Sequence, residues 1–180
     1  MNIAVYCSSS NHIAEKYIEV AYQLGTWIAQ RHHVLVFGGA TGGSMLAVSQ
    51  GVFDHAGHIV GVIPQAVVRM NRQSLISTEL ITVETMDARK ALMKEKSDAF
   101  VILPGSYGTM DELFDVIASG VVGEHKKQVI VLNQDGFYDD IIRQTKRMRE
   151  EMFIPAENFK PIFVDNIEQC IHTLETINSI

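Results

Sequence analysis

Cysteine is scarce in this sequence, with Cys7 and Cys170 the only two among 180 residues and no CxxC pair. That excludes a disulfide-stapled framework and points to a reducing compartment. Proline numbers four, and no stretch is rich in Pro, Gly or Ser, so nothing reads as an interdomain linker. Neither an internal repeat nor a low-complexity segment is present. Basic residues are outnumbered, 15 against 21 acidic, for a formal charge of −6. A broad basic surface for nucleic acid is therefore not expected, since phosphate neutralisation needs clustered Lys and Arg. No apolar run approaches the roughly 20 residues of a membrane span, and MNIAVYCSSS lacks the basic and long apolar segments of a secretory signal. The expectation is a cytoplasmic protein without membrane partners. Hydrophobic residues at 47% and charged residues at 20% exclude disorder. A chain of this size is expected to form one nucleotide-binding α/β domain over residues 1–180, with one main site.

Short apolar runs alternate with longer stretches of helical period. Runs at 3–6, 34–37, 59–63, 80–83, 99–103, 129–132 and 162–164 read as strands, mostly continuous in apolar character, as expected when both sheet faces are covered. Helices are predicted at about 12–31, 43–56, 86–96, 109–122, 137–150 and 166–178. This alternation predicts a Rossmann-like three-layer sandwich with a mostly parallel sheet. The segment 64–77, with Arg69 and Arg72, fits neither pattern and is expected to be a loop or a mobile cover near the site.

Ligands of such folds bind beyond the carboxyl ends of the strands. Three of those ends are unusual: Cys7-Ser8-Ser9-Ser10, Gly38-Gly39-Ala40-Thr41-Gly42-Gly43-Ser44, and Pro104-Gly105-Ser106-Tyr107-Gly108-Thr109. Each precedes a predicted helix, where glycine admits a ligand close to the backbone and unpaired N–H groups suit a phosphate. Gly38 and Gly43 have the separation of P-loop glycines, but Ser44 and Met45 stand where Lys and Ser or Thr are required. The dinucleotide fingerprint fails as well. Ala40 takes the middle glycine position, and the strand at 59–63 runs into Pro64-Gln65 without an acidic residue. A mononucleotide is the better fit.

The stretch MDARKALM places Arg89 and Lys90 at a helix start, an electrostatically poor place for two cations unless something anionic lies nearby. Downstream, Thr109-Met110-Asp111-Glu112 has the spacing of a capping box. On that reading Glu112 lies in the first helical turn, where the helix dipole favours its ionised form as a base or a stabiliser of positive charge. Capping and catalysis are both open to it. Met45, Met86, Met93 and Met110 are expected in the core or lining the pocket, and Trp27 with Leu24 on a helix packing face. His55 and His58 lack a third ligand at suitable spacing, so no metal is expected.

The stretch ARKALMKEKSDAFVILPGSYGTMDELFDVI resembles the LONELY GUY family of cytokinin riboside 5'-monophosphate phosphoribohydrolases, whose hallmark is an Arg-Lys pair followed by PGGxGTxxE. VYCSSS and FGGATGGSM are similar to the family's two other glycine-serine turns, and the likeness runs through roughly residues 1 to 165. It implies a Rossmann-like homodimer that hydrolyses the N-glycosidic bond of a nucleoside 5'-monophosphate, AMP or an N6-substituted AMP, to free base and ribose 5-phosphate. The resemblance places the catalytic roles on Glu112 and Arg89. Substrate binding falls to Lys90, Gly105, Ser106, Tyr107, Gly108 and Thr109, together with Ser8, Ser9, Gly38, Gly39, Gly43 and Met86. No organic cofactor is implied. Ser106, Ser8 and Ala40 stand where the family pattern has glycine. The family also carries the label of possible lysine decarboxylase, which no lysine in a recognisable pyridoxal-phosphate context supports. The alternative reading is a nucleotide-binding module without turnover.

Overall fold

In a computed structural model that describes residues 1–155 and 158–177, the seven apolar runs are strands. They are Asn2–Tyr6 (β1), Val34–Phe37 (β2), His58–Pro64 (β3), Glu79–Val83 (β4), Ala99–Ile102 (β5), Val129–Leu132 (β6) and Ile162–Val164 (β7). Between them run helices Glu15–Gln30 (α1), Gly43–Asp54 (α2), Gln65–Val68 (α3), Met86–Lys96 (α4), Tyr107–Val121 (α5), Asp139–Glu150 (α6) and Ile167–Ile177 (α7). One sheet holds all seven strands in the order β4-β3-β2-β1-β5-β6-β7, and every pairing is parallel.

Strand side chains alternate between two cores, as the pleat requires. Ile3, Val5, Leu35 and Phe37 meet α1, α2 and α7 on one face through Leu24, Trp27, Val48 and Leu174. Ala4, Tyr6, Val36 and Phe100 meet α4 and α5 on the other through Met93, Leu113 and Val116. These are the three expected layers. Helices α1 and α2 approach so closely that a methyl group at Gly25 would stand 2.1 Å from the Val48 carbonyl oxygen. The chain builds outward from β1 through β2, β3 and β4, then returns to lay β5 on the other side of β1. The carboxyl ends of β1 and β5 therefore form the switch point at which this architecture opens a crevice.

Several expectations need correction. Helix α5 begins at Tyr107 rather than at 109, because Ser106 has the extended backbone of an N-cap. Thr109 is thus inside the helix, Glu112 lies in its second turn, and the capping box does not form. Helix α1 starts at Glu15, three residues late, because 11–13 form a turn. A short 3-10 turn at Gln134–Gly136 precedes α6, fastened where the Asn133 side-chain oxygen accepts from Tyr138 N at 2.7 Å. The segment 64–77 is not a loose cover. It contains α3 and an isolated antiparallel bridge between Gln73 and Ala40. The last residue of the helix predicted to 178 lies outside the described residues.

Candidate active site

The register sets the site. Tyr6 pairs with Ile102 and Val5 with Phe37, so the turns after β1, β2 and β5 leave the sheet side by side. The three turns do not have the same donors to offer, however. After β2, Thr41 N donates to Arg72 O at 2.7 Å, Gly43 N to Asn11 Oδ1 at 3.0 Å and Met45 N to Ser8 O at 3.0 Å. These three N–H groups are occupied by the protein itself, so this part of the turn frames its neighbours. After β5 the donors at the helix start are not used in this way. Met110 N donates to Ser106 O, whereas Tyr107, Gly108 and Thr109 have no protein acceptor for their N–H groups among the described residues. A helix start with free donors is a ready anion site. Its geometry is held from below by Tyr138, whose hydroxyl donates to Leu103 O at 2.7 Å, and by Thr109, which packs against Gly105.

Beside this turn lies a buried ion pair. Arg89 and Met93 are the buried residues of α4, so the guanidinium takes a place on the helix's inner face that an apolar side chain would usually fill. Nη2 of Arg89 donates to Glu112 Oε1, and both side chains are nearly sealed from solvent. Burial pushes the Glu112 carboxyl up to about 7, against the opposing pull of Arg89. Burial outweighs the pull of the helix N-terminus toward the ionised form that the sequence leads one to expect, because the residue lies a turn deeper. Nε of Arg89 is buried and has no hydrogen-bond partner among the described residues. Burial, and then the charge of Glu112, also hold the Tyr6 hydroxyl and the Cys7 thiol well above their ordinary ranges.

The anion required beside the two cations of α4 is supplied by α5. Arg89 pairs with Glu112, Lys90 with Asp111 at 2.9 Å, and Lys94 with Asp115 at 2.9 Å. Lys94 Nζ also donates to Ser119 Oγ at 2.8 Å. These contacts form one seam, which fixes how α4 slides against α5 and hence where Arg89 meets Glu112. The hydrogen bond from Lys90 to Asp111 raises the lysine pKa, keeping it charged.

The other residues chosen from the sequence divide clearly. Gly38 lies against Arg89 and Met45, and Gly39 O accepts from Ser74 N at 2.8 Å. Ser8 is buried, its hydroxyl accepting from Ser10 N at 3.1 Å. Ser9 accepts from Arg72. Ser106 and Tyr107 are exposed at the mouth, Tyr107 at 93%. Met86, at the first position of α4, is 41% exposed. Sequence reasoning passed over Lys94, Asp115, Tyr138 and the role of Arg72. The first two had a signal in the shared four-residue step of Lys90 to Lys94 and Asp111 to Asp115. His55 ends α2 and His58 begins β3, so they do not share a helix face. A groove of about 560 Å³ between α1 and α2 meets this region through Asn11 and Gly43, but no buried ion pair lines it among the described residues. Chemistry, not volume, selects the Arg89–Glu112 crevice.

A family model described as possible lysine decarboxylase matches residues 45–174. The chain is 37% identical to the cytokinin riboside 5'-monophosphate phosphoribohydrolase LOG2 of Arabidopsis thaliana over 174 residues, 96% of this chain and 82% of that one. To the phosphoribohydrolase LOG7 of the same plant it is 36% identical, with 96% and 80% covered. The molybdenum cofactor carrier protein of Chlamydomonas reinhardtii superposes with a TM-score of 0.76 at 19% identity, covering 99% of this chain and 98% of that one. At that identity the likeness speaks for the fold alone.

Proposed function

Since the chain belongs to the LONELY GUY family, matched by the model described as possible lysine decarboxylase and by relatives named phosphoribohydrolases, we propose that it hydrolyses the N-glycosidic bond of a nucleoside 5'-monophosphate, with Glu112 and Arg89 as its catalytic residues. The observation that carries this reading is the buried Arg89–Glu112 pair beside a helix start whose first N–H groups have no acceptor among the described residues.

Breaking a sugar–base bond builds positive charge on the ribose, and a fixed carboxylate in a dry site lowers that barrier. Glu112 provides the carboxylate. The N–H groups of Tyr107, Gly108 and Thr109 hold the phosphate, and this remote anchoring places the anomeric carbon against Glu112. Arg89 keeps part of the Glu112 population ionised inside the protein and stabilises charge on the departing base or on the ribose. Asp111 is tied to Lys90 and serves the seam rather than the base. Water supplies the hydroxyl that joins the anomeric carbon and the proton that leaves with the base, so the products are the free base and ribose 5-phosphate.

Decarboxylation of lysine fits the same residues poorly. A Schiff-base lysine must lose its proton, which requires a lowered pKa. Lys90, beside the pair, is shifted the other way by Asp111.

The same reading includes a homodimer in the cytoplasm. An exposed apolar stripe on α5, Tyr107, Phe114 and Val121 at helical spacing with Val122 beside it, supports a second copy as its cover. Two unpaired cysteines support a reducing compartment. No helix among the described residues is long and apolar enough to cross a membrane. With Arg89 and Lys90 both bound to carboxylates, a small nucleotide suits the crevice better than a nucleic acid.

Purified protein incubated with AMP and with an N6-substituted AMP should release free base, measured by chromatography. Glu112→Ala and Arg89→Ala should abolish that release. Variants that hydrolyse as fast as the parent would overturn the assignment, and AMP binding without any base release would make the protein a nucleotide-binding module.

A further inference from the structure

The segment after α3 is stitched to the glycine turn after β2. Thr41 N donates to Arg72 O, Ser74 N to Gly39 O, and Ala40 bridges to Gln73. From this strap the Arg72 side chain crosses to the turn after β1. Its Nη2 donates to the Ser9 carbonyl at 3.0 Å and to the Ser9 hydroxyl at 3.1 Å. Among the described residues no carboxylate pairs with this guanidinium; its side-chain contacts are the two oxygens of Ser9. A half-buried arginine is thus held at the mouth of the crevice with its charge uncompensated.

The chemistry of that contact is directional. A serine hydroxyl has one proton to give and lone pairs to accept with. Arg72 has no acceptor, so Ser9 Oγ must receive from it, leaving the Ser9 proton to be donated elsewhere. The turn that carries Ser9 leaves the sheet next to the turn that carries the free N–H groups of 107–109, since Leu103 N donates to Tyr6 O at 2.9 Å. Two donor sets and one unpaired cation therefore stand around the same opening. An anion with several acceptor oxygens is the ligand that matches them.

We infer that Arg72 is a positioning residue for the phosphate end of the substrate: it fixes Ser9 so that the hydroxyl donates to a phosphate oxygen, and adds its own charge to the helix start opposite. This rests on the phosphoribohydrolase reading for the identity of the substrate, but not for the presence of an anion. Two departures from the family pattern lie in the same frame: the Ser8 hydroxyl accepts from Ser10 N, and the Ala40 backbone bridges to Gln73 of the strap.

The test uses the full chain and four variants: Arg72→Ala, Arg72→Lys, Ser9→Ala and the Arg72→Ala/Ser9→Ala double variant. Calorimetry with ribose 5-phosphate reads binding, and base release from AMP reads turnover. Arg72→Ala should weaken ribose 5-phosphate about tenfold, the size of one charged hydrogen bond, and raise KM for AMP by the same factor. Turnover at saturation should stay within about twofold, because the chemistry at Glu112 is untouched. Lysine at 72 should recover part of the loss by restoring charge without the fork. The double variant should lose less than the sum of the two single losses, as expected for residues acting through one contact.

Binding by Arg72→Ala within twofold of the parent would overturn the assignment, as would full additivity with Ser9→Ala or a parent with no affinity for ribose 5-phosphate. A merely structural arginine would lower kcat and thermal stability while sparing phosphate affinity. If the parent binds ribose 5-phosphate yet releases no base from any nucleoside monophosphate, the hydrolase reading fails while the binding comparison still decides the role of Arg72.

Discussion

A methyl group on Gly38 would stand 3.1 Å from Nη1 of Arg89 and 3.2 Å from Cε of Met45. The end of β2 is bare of a side chain at the place where the guanidinium lies over it. Arg89 is fixed on its other side by Glu112, so it has little room to yield. Gly38→Ala should therefore displace the pair, lowering kcat/KM by about tenfold, equivalent to about 1.4 kcal/mol of barrier. Stability should fall by about 1–3 kcal/mol, the usual cost of overpacking, read from urea denaturation.

In the proposed mechanism Glu112 contributes to folding and to chemistry by separate routes. Glu112→Gln keeps the shape and an acceptor for Arg89 but removes the charge, and should lower kcat by roughly 10² to 10³ with the fold intact. Glu112→Ala also leaves the Arg89 charge buried without a partner, and should cost about 3–5 kcal/mol of stability. Denaturation and turnover measured on both variants distinguish the two effects. Equal stability of the two variants would count against the buried pair.

The pKa of Glu112, raised by burial from 4.5 to about 7, predicts opposite pH trends for stability and activity. Between those values the folded protein holds a proton that the unfolded chain has released. The stability due to this group is fully present below 4.5 and is lost as pH rises through about 7. Activity that needs the ionised carboxylate rises through the same window, giving kcat/KM an acid limb near 7. Glu112→Gln should flatten the stability slope, as read by thermal melts at several pH values. A parent profile without that limb would contradict the assignment.

Gly105 and Gly108 sit three residues apart and should respond differently to the same change. A methyl at Gly105 would stand 2.1 Å from Thr109 Oγ1, whereas one at Gly108 meets no heavy atom within 4 Å. Gly105→Ala should lose stability and activity together. Gly108→Ala lies inside a helix, where alanine is favoured by about 0.5–1 kcal/mol, so its melting temperature should rise. Its KM for AMP should rise too, because the added group stands among the N–H donors assigned to the phosphate. An unchanged KM would place the phosphate elsewhere.

The apolar stripe of α5 predicts the state of assembly. Phe114, 47% exposed at its middle, should be covered by a second copy. Phe114→Glu should convert a dimeric parent to a monomer in sedimentation, with the secondary structure retained by circular dichroism. A monomeric parent would remove the basis of the homodimer.

Much of this was legible before any coordinates. Continuous apolar runs such as Val34–Phe37 and Val129–Leu132 can be satisfied only by strands covered on both faces, and their alternation with amphipathic stretches leaves a parallel sheet as the economical solution. The glycine-rich turns and the Arg89, Lys90 and Glu112 constellation were visible for the same local reason: residue type and spacing suffice to mark a turn or a helix start.

Local pattern could not tell a cap from a buried, Arg89-paired carboxyl at Glu112, because Thr109-x-x-Glu112 satisfies the capping spacing whichever residue starts the helix. Nor could it show that the N–H groups of Thr41, Gly43 and Met45 are taken by Arg72, Asn11 and Ser8 while those of Tyr107, Gly108 and Thr109 have no acceptor among the described residues. Spacing and hydrophobic period reflect what each residue does to its own segment. The pairing of Arg89 with Glu112 across 23 positions, of Arg72 with Ser9 across 63, and the burial that lifts a carboxyl to about 7 all depend on which strands lie adjacent. Strand order emerges only when the whole chain packs, so these features belong to the tertiary structure alone.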